Sequence, residues 1–127
     1  MSEPEIRGQF VWHELATADH AAAFSFYNAV VRWEDAGTHD MGPIGLYRMF
    51  GRNGHTLGGM FNKPAEMPAP SHWLDYVRVA NITASVDAVK AHGGQVLHGP
   101  AEVPGGDWIA QCLDPQGAAF ALHQRKA

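Results

Sequence analysis

Cysteine is nearly absent from this 127-residue chain, with Cys112 the single copy. A disulfide framework within the chain is therefore excluded, and a reducing compartment fits. Basic residues are scarce as well: 9 Lys and Arg stand against 13 Asp and Glu, for a formal net charge of −4. No basic stripe is available to displace counterions, so no nucleic-acid partner is expected. No apolar run reaches the roughly 18–20 residues a membrane helix needs, so no membrane partner is expected either. The opening Met-Ser-Glu-Pro-Glu is acidic and lacks the apolar region of a secretory signal. The expected location is cytoplasmic. A P-loop, a dinucleotide fingerprint and a Ser–His–Asp arrangement are also missing.

What remains suits a folded domain. Hydrophobic residues make up 46% and charged residues 17% of the chain, as in ordinary globular proteins. The length predicts one domain over residues 1–127, long enough to bury roughly two thirds of its unfolded surface.

Residues 1–8 read as a frayed leader. Gln9 to Leu15 is rich in strand formers, with Trp12 and Glu14 on one face and His13 and Leu15 on the other. Thr17 and Asp19 both suit a helix N-cap. Phe24, Tyr27, Val30, Val31 and Glu34 follow helical spacing, and Gly37 closes that region. Residues 38–45 are expected to be loop. Leu46–Phe50 and Thr56–Phe61 form a hairpin around Asn53-Gly54. Asn62 to Ser71 holds Pro64, Pro68 and Pro70 and reads as a linker.

The order then repeats. Trp73–Val79 alternates as a strand, Thr83 caps a helix over Ala84–His92, and Gly93-Gly94 supplies its left-handed stop. Gln95–His98 is a short strand, Gly99–Gly106 a loop, and Asp107–Leu113 a strand. Asp114-Pro115-Gln116-Gly117 has turn chemistry throughout, and Ala118–His123 returns. Asp19 and Asn81, each before a helix, lie 62 positions apart. The same offset superposes Trp12 on Leu74, Tyr47 on Ile109, and Leu57–Phe61 on Ala119–His123. Both halves read β-α-β-β-β, with module one at about 8–62, the linker at about 62–71 and module two at about 72–123.

Leu15-Ala-Thr-Ala-Asp19 with Ala23-Phe24-Ser-Phe-Tyr27, Ala91-His-Gly-Gly94 with Gly99-Pro100, and Leu113-Asp-Pro-Gln-Gly-Ala-Ala-Phe-Ala-Leu122 carry a resemblance to a known family. The chain resembles the vicinal oxygen chelate superfamily of glyoxalase I, extradiol dioxygenases and bleomycin-resistance proteins, over about residues 8–123. The resemblance implies an α+β fold of two tandem β-α-β-β-β modules. A curved mixed sheet would wrap a cavity, with helices on its outer face. Metal-dependent members place ligands in the first and last strand of each module. Those positions fall here on Trp12, Gly59, Leu74 and Ala121, none of which can ligate a metal through its side chain. A register slip of one would substitute His13, Met60, Asp75 and Leu122. No metal and no cofactor are expected. His20, His39, His55, His72 and His92 read as solvated.

In the same register the inward positions include Trp12, Glu14, Tyr47, Met49, Leu57, Phe61, Tyr76, Arg78, Ile109, Gln111 and His123. Trp12, Tyr47, Met49, Phe61, Tyr76 and Gln111 make candidate ligand-binding walls, with aromatic faces and a few hydrogen-bonding groups. Glu14 is the candidate general base and Arg78 the candidate electrostatic clamp, or the two form a structural pair. His123 is expected to be solvated, and Cys112 to pack under a helix. Three functions stay open. The preferred one is metal-free binding of a small aromatic or planar metabolite. The second is a lyase or isomerase acting on a small carbonyl compound, with Glu14 as base. The third is an interaction module, and a homodimer is expected.

Overall fold

The computed structural model describes residues 6–126, with Ile44 described for its backbone alone. Along the chain run β1 (Phe10–Thr17), α1 (His20–Val31), β2 (Glu34–Asp40), β3 (Leu46–Arg52), β4 (His55–Asn62), β5 (His72–Val79), α2 (Ile82–Ala91), β6 (Gln95–Glu102), β7 (Trp108–Leu113) and β8 (Ala119–Gln124). Among the described residues, two α-helices and eight strands of mixed pairing give the α+β class, and their order is β-α-β-β-β twice. Two units separate by contacts, residues 12–74 and residues 75–126 with 6–11, so the boundaries fall inside β1 and β5.

The 62-residue offset holds at the level of individual strand partners. In the 12–74 unit the strand order is β2-β3-β4-β1. There Glu14 lies opposite Gly59 in the parallel β1–β4 pair, and Met49 opposite Gly59 in the antiparallel β3–β4 pair. In the other unit the order is β5-β8-β7-β6, with Tyr76 and Gln111 both opposite Ala121. The outer strands β2 and β6 depart by one residue, because each carries a bulge against its neighbour.

Each unit places its helix over one face of its own strands. Leu15, Phe50 and Met60 are buried with Phe24, Tyr27, Trp33 and Leu57 packed on them. Ile82, Val86, Ala110, Cys112 and Leu122 form the other core, so Cys112 does pack under a helix. Burial pushes its thiol pKa up, which argues against a nucleophile.

Several expectations are corrected. Asp19 is the α1 cap, its Oδ1 accepting from the amides of Ala21 and Ala22 at 3.1 Å. Arg32, in the left-handed conformation, ends that helix, so Gly37 is not its stop and Glu34 starts β2. Val30 and Val31 are exposed, and the packed side of α1 is Ala23, Phe24 and Tyr27. The expected loop over 38–45 begins as strand, since β2 runs through Asp40, and only the rest of it connects to β3. β2 is held by Arg48–Asp35 and Arg52–Glu34 ion pairs at 2.9 and 3.0 Å. These charges suit an outermost strand and hide its strand character from a hydrophobicity reading. Asn81, not Thr83, caps α2, and β6 runs through Pro100 to Glu102. Leu57 sits where pairing jumps from Gly58 to Thr56, and this bulge turns it into the helix-side core. Of the leader, residues 1–5 lie outside the described residues; Gly8 and Gln9 are paired with the Arg78 backbone, not frayed.

Among the described residues no helix is long and apolar enough to cross a membrane.

Candidate functional site

The strand face of the 12–74 unit opposite α1 carries Trp12 and Glu14 from β1, Tyr47 and Met49 from β3, and Phe61 from β4. A hydrogen-bond chain links three of them. Trp12 Nε1–H donates to the Tyr47 hydroxyl at 2.8 Å, and that hydroxyl donates to Glu14 Oε2 at 2.9 Å. The tyrosine oxygen thus accepts and donates at once, and each bond polarises the next. Tyr47 also stacks loosely on Phe61, its cross-strand partner, at 6.2 Å and 22°. Trp12, Glu14, Tyr47, Met49 and Phe61 are all half-buried. The result is an aromatic floor with one carboxylate held in a set orientation.

Gly59 makes this arrangement possible. A Cβ there would land in the Tyr47 ring, so only glycine lets the ring cross the strand. The position that the resemblance assigns to a metal ligand is therefore filled by a neighbour's side chain. The other assigned positions fit a metal no better: the Trp12 indole donates a hydrogen bond, Leu74 is aliphatic, and Ala121 is a fully buried methyl. Among the described residues no group of three or more His, Cys, Asp or Glu is placed to hold a metal ion. The residues present do not fit the metal of the family.

In the other unit Gln111 Nε2 donates to the Tyr76 hydroxyl at 3.1 Å, joining two of the candidate binding residues. Arg78 is 9% exposed, and its Nε donates to His123 Nδ1 at 3.0 Å. His123 must keep a lone pair on Nδ1 to accept, so its proton sits on Nε2 and points to Asp107 Oδ2 at 2.9 Å. His123 is thus a connecting group, not a solvated one. His20 and His72 are corrected likewise: His20 accepts from Arg48 Nε at 3.3 Å, and His72 bonds the Pro70 carbonyl at 2.7 Å. Asp107 was missed as a site residue because its partners, His123 and the Lys126 amide, lie 16 and 19 positions on. Its place at the mouth of a turn before β7 carries no periodic signal.

Burial alone would raise the Asp107 pKa, but the Lys126 amide, the His123 bond and the Arg78 charge outweigh it and hold it below its ordinary value of 3.8. A depressed carboxylate stabilises the fold above its unfolded pKa and loses that contribution as pH falls through the folded value. Asp107→Asn is therefore expected to melt a few degrees below the wild type at pH 7. The gap should close as pH falls below the ordinary carboxylate value of about 4. Thermal melts across pH 3–7 check this, and a gap independent of pH contradicts it.

A family model described as Glyoxalase/Bleomycin resistance protein/Dioxygenase superfamily matches residues 9–122. The chain is 35% identical over 119 residues to CFP32 of Mycobacterium bovis, described as a candidate glyoxylase, covering 91% of this chain and 43% of that protein. It is 27% identical over 131 residues to the anthracycline biosynthesis protein DnrV of Streptomyces peucetius, covering 93% and 47%. The chain spans less than half the length of these curated relatives. Methylmalonyl-CoA epimerase from Mycobacterium tuberculosis superposes with a TM-score of 0.69 at 13% identity, covering 94% of this chain and 89% of that one. Hypothetical protein BH1468 from Bacillus halodurans gives 0.69 at 15%, covering 94% and 96%. At such identities the structural likeness shows the fold alone.

Proposed function

The chain belongs to the Glyoxalase/Bleomycin resistance protein/Dioxygenase superfamily, and from that premise we propose that it binds a small flat molecule, without the family metal, on the Trp12–Tyr47–Glu14 face. The observation that carries the reading is the hydrogen-bond chain ending on Glu14, set beside the stacked Tyr47 and Phe61 rings. A flat ring system gains dispersion and hydrophobic contact from the aromatic side chains. A hydroxyl or N–H on the ligand donates to the oriented carboxylate, a charge-assisted bond. The ligand class is thus a planar metabolite bearing at least one hydrogen-bond donor.

Tyr47→Phe removes the central hydroxyl and leaves the Trp12 N–H and Glu14 without that partner. It is expected to weaken binding roughly tenfold and cost about 1–2 kcal/mol of stability. Calorimetric titration with a panel of flat phenols and indoles tests this. Equal affinity in wild type and variant would remove the reading.

A second reading uses the same geometry, with Glu14 as a base that takes a proton from carbon next to a carbonyl. It is favoured by the single orientation that Tyr47 imposes on the carboxylate. Glu14→Gln keeps an acceptor for Tyr47. Under this reading it abolishes turnover of a carbonyl substrate while leaving the melt unchanged; under the first it lowers affinity alone.

A further inference from the structure

We propose that a hollow on the α1 side of the 12–74 unit is a second binding site, one that takes a small aromatic molecule by its carbonyl oxygen. The hollow has a volume of about 340 Å³, and Phe26, Tyr27, Trp73, Thr17, Ser71 and His72 are among its lining residues. That volume lies within the roughly 300–1,000 Å³ of small-molecule sites. Leu15 and Thr17 line it from β1, and strand alternation puts them on the face opposite Trp12 and Glu14. The hollow is therefore separate from the site proposed above.

The observation that carries the proposal is the Thr17 hydroxyl. Thr17 is 9% exposed, and its side-chain partner among the described residues is the Ser71 hydroxyl, 3.5 Å away. An O–H···O bond spans roughly 2.5–3.0 Å, so the two hydroxyls stand side by side without a full bond between them. A hydroxyl held in that way gains from an added acceptor. A carbonyl oxygen has two lone pairs and no proton, and one such atom can accept from both hydroxyls. The backbone keeps the pair in place. The Thr17 carbonyl accepts from the Lys63 amide at 2.8 Å, and His72 Nδ1–H donates to the Pro70 carbonyl at 2.7 Å, bracketing Ser71. The rest of the lining suits a ring. Phe26 is 59% and Trp73 37% exposed, and Tyr27 meets both edge-to-face at 5.1 and 5.6 Å. Three rings packed on one another offer an aromatic ligand hydrophobic and dispersion contact.

The test is titration of ¹⁵N-tryptophan-labelled protein with acetophenone, which has a carbonyl oxygen and no hydrogen-bond donor for Glu14. Its oxygen-free isostere, α-methylstyrene, is the comparison. Acetophenone is expected to shift the Trp73 indole N–H resonance saturably, assigned through Trp73→Phe, with α-methylstyrene at least tenfold weaker. Thr17→Val keeps the shape and removes the hydroxyl. It is expected to weaken acetophenone to the level of α-methylstyrene without lowering the melting temperature. Ser71→Ala, at an exposed residue, is expected to weaken acetophenone severalfold. Tyr47→Phe is expected to leave acetophenone binding as in the wild type, so failure here and failure of the Trp12–Tyr47–Glu14 site are separate results. A Trp73 resonance that does not shift saturably, equal binding of the two isosteres, or wild-type affinity in either hydroxyl variant overturns the proposal. A lowered melt in Thr17→Val overturns it as well, by making the hydroxyl a structural group.

Discussion

Phe50→Ala is expected to cost about 3–5 kcal/mol of stability, the largest loss of any single core truncation in the 12–74 unit. Phe50 is 1% exposed and stacks on Trp33 at 4.3 Å and 24°. Trp73 meets it edge-on at 5.9 Å, and Tyr27 in turn stacks on Trp33 at 5.0 Å. Removing the ring opens a cavity against Trp33 and Trp73, which cannot collapse without moving both. Urea unfolding followed by tryptophan fluorescence reads the loss. A change below about 1 kcal/mol would mean that the cluster is loosely packed.

Gly59→Ala is expected to be nearly as severe and more informative. The added methyl lands in the Tyr47 ring, and the ring cannot yield without giving up its bonds to Trp12 and Glu14. Overpacking alone costs about 1–3 kcal/mol, and the broken hydrogen bonds add to it. Ligand binding on this face should be lost outright. Gly59→His meets the same ring, so supplying a ligating side chain at this position is expected to displace Tyr47 without creating a metal site. Thermal melts with the phenol and indole titration check both variants. Wild-type binding in Gly59→Ala would show that Tyr47 is not part of the site.

Much of this architecture was legible in the residues. Asp19 and Asn81 before their helices, Asn53-Gly54 in the hairpin and Asp114-Pro115-Gln116-Gly117 before the last strand are local signals whose physical meaning survives any tertiary context. The 62-residue offset between them carried the strand register, and with it the shared face of Trp12, Glu14, Tyr47 and Phe61. What failed was decided by contacts distant in the chain. β2 forms from Glu34-Asp-Ala-Gly-Thr-His-Asp40 because Arg48 and Arg52 on β3 meet its acidic residues, and no periodicity announces that. Arg32 ends α1 in a conformation usually left to glycine, so the stop was sought at Gly37. The link from Arg78 through His123 to Asp107 joins three strands' worth of chain, and a histidine near the end of a sequence gives no hint of it.

The resemblance's assignment of Gly59 to a ligand position gives no sign that the Tyr47 ring, which bonds Glu14, lies where a Cβ at Gly59 would stand. The relay is therefore both the reason the family metal does not fit and the basis of the proposed ligand site.

The most direct measurement follows the Trp12 indole N–H resonance in ¹⁵N-tryptophan-labelled protein during titration with the flat phenols and indoles, assigned through Trp12→Phe. A binder is expected to shift that resonance saturably in the wild type, and to leave no saturable shift in Gly59→Ala. Compounds that bind while the Trp12 resonance stays fixed would contradict the account.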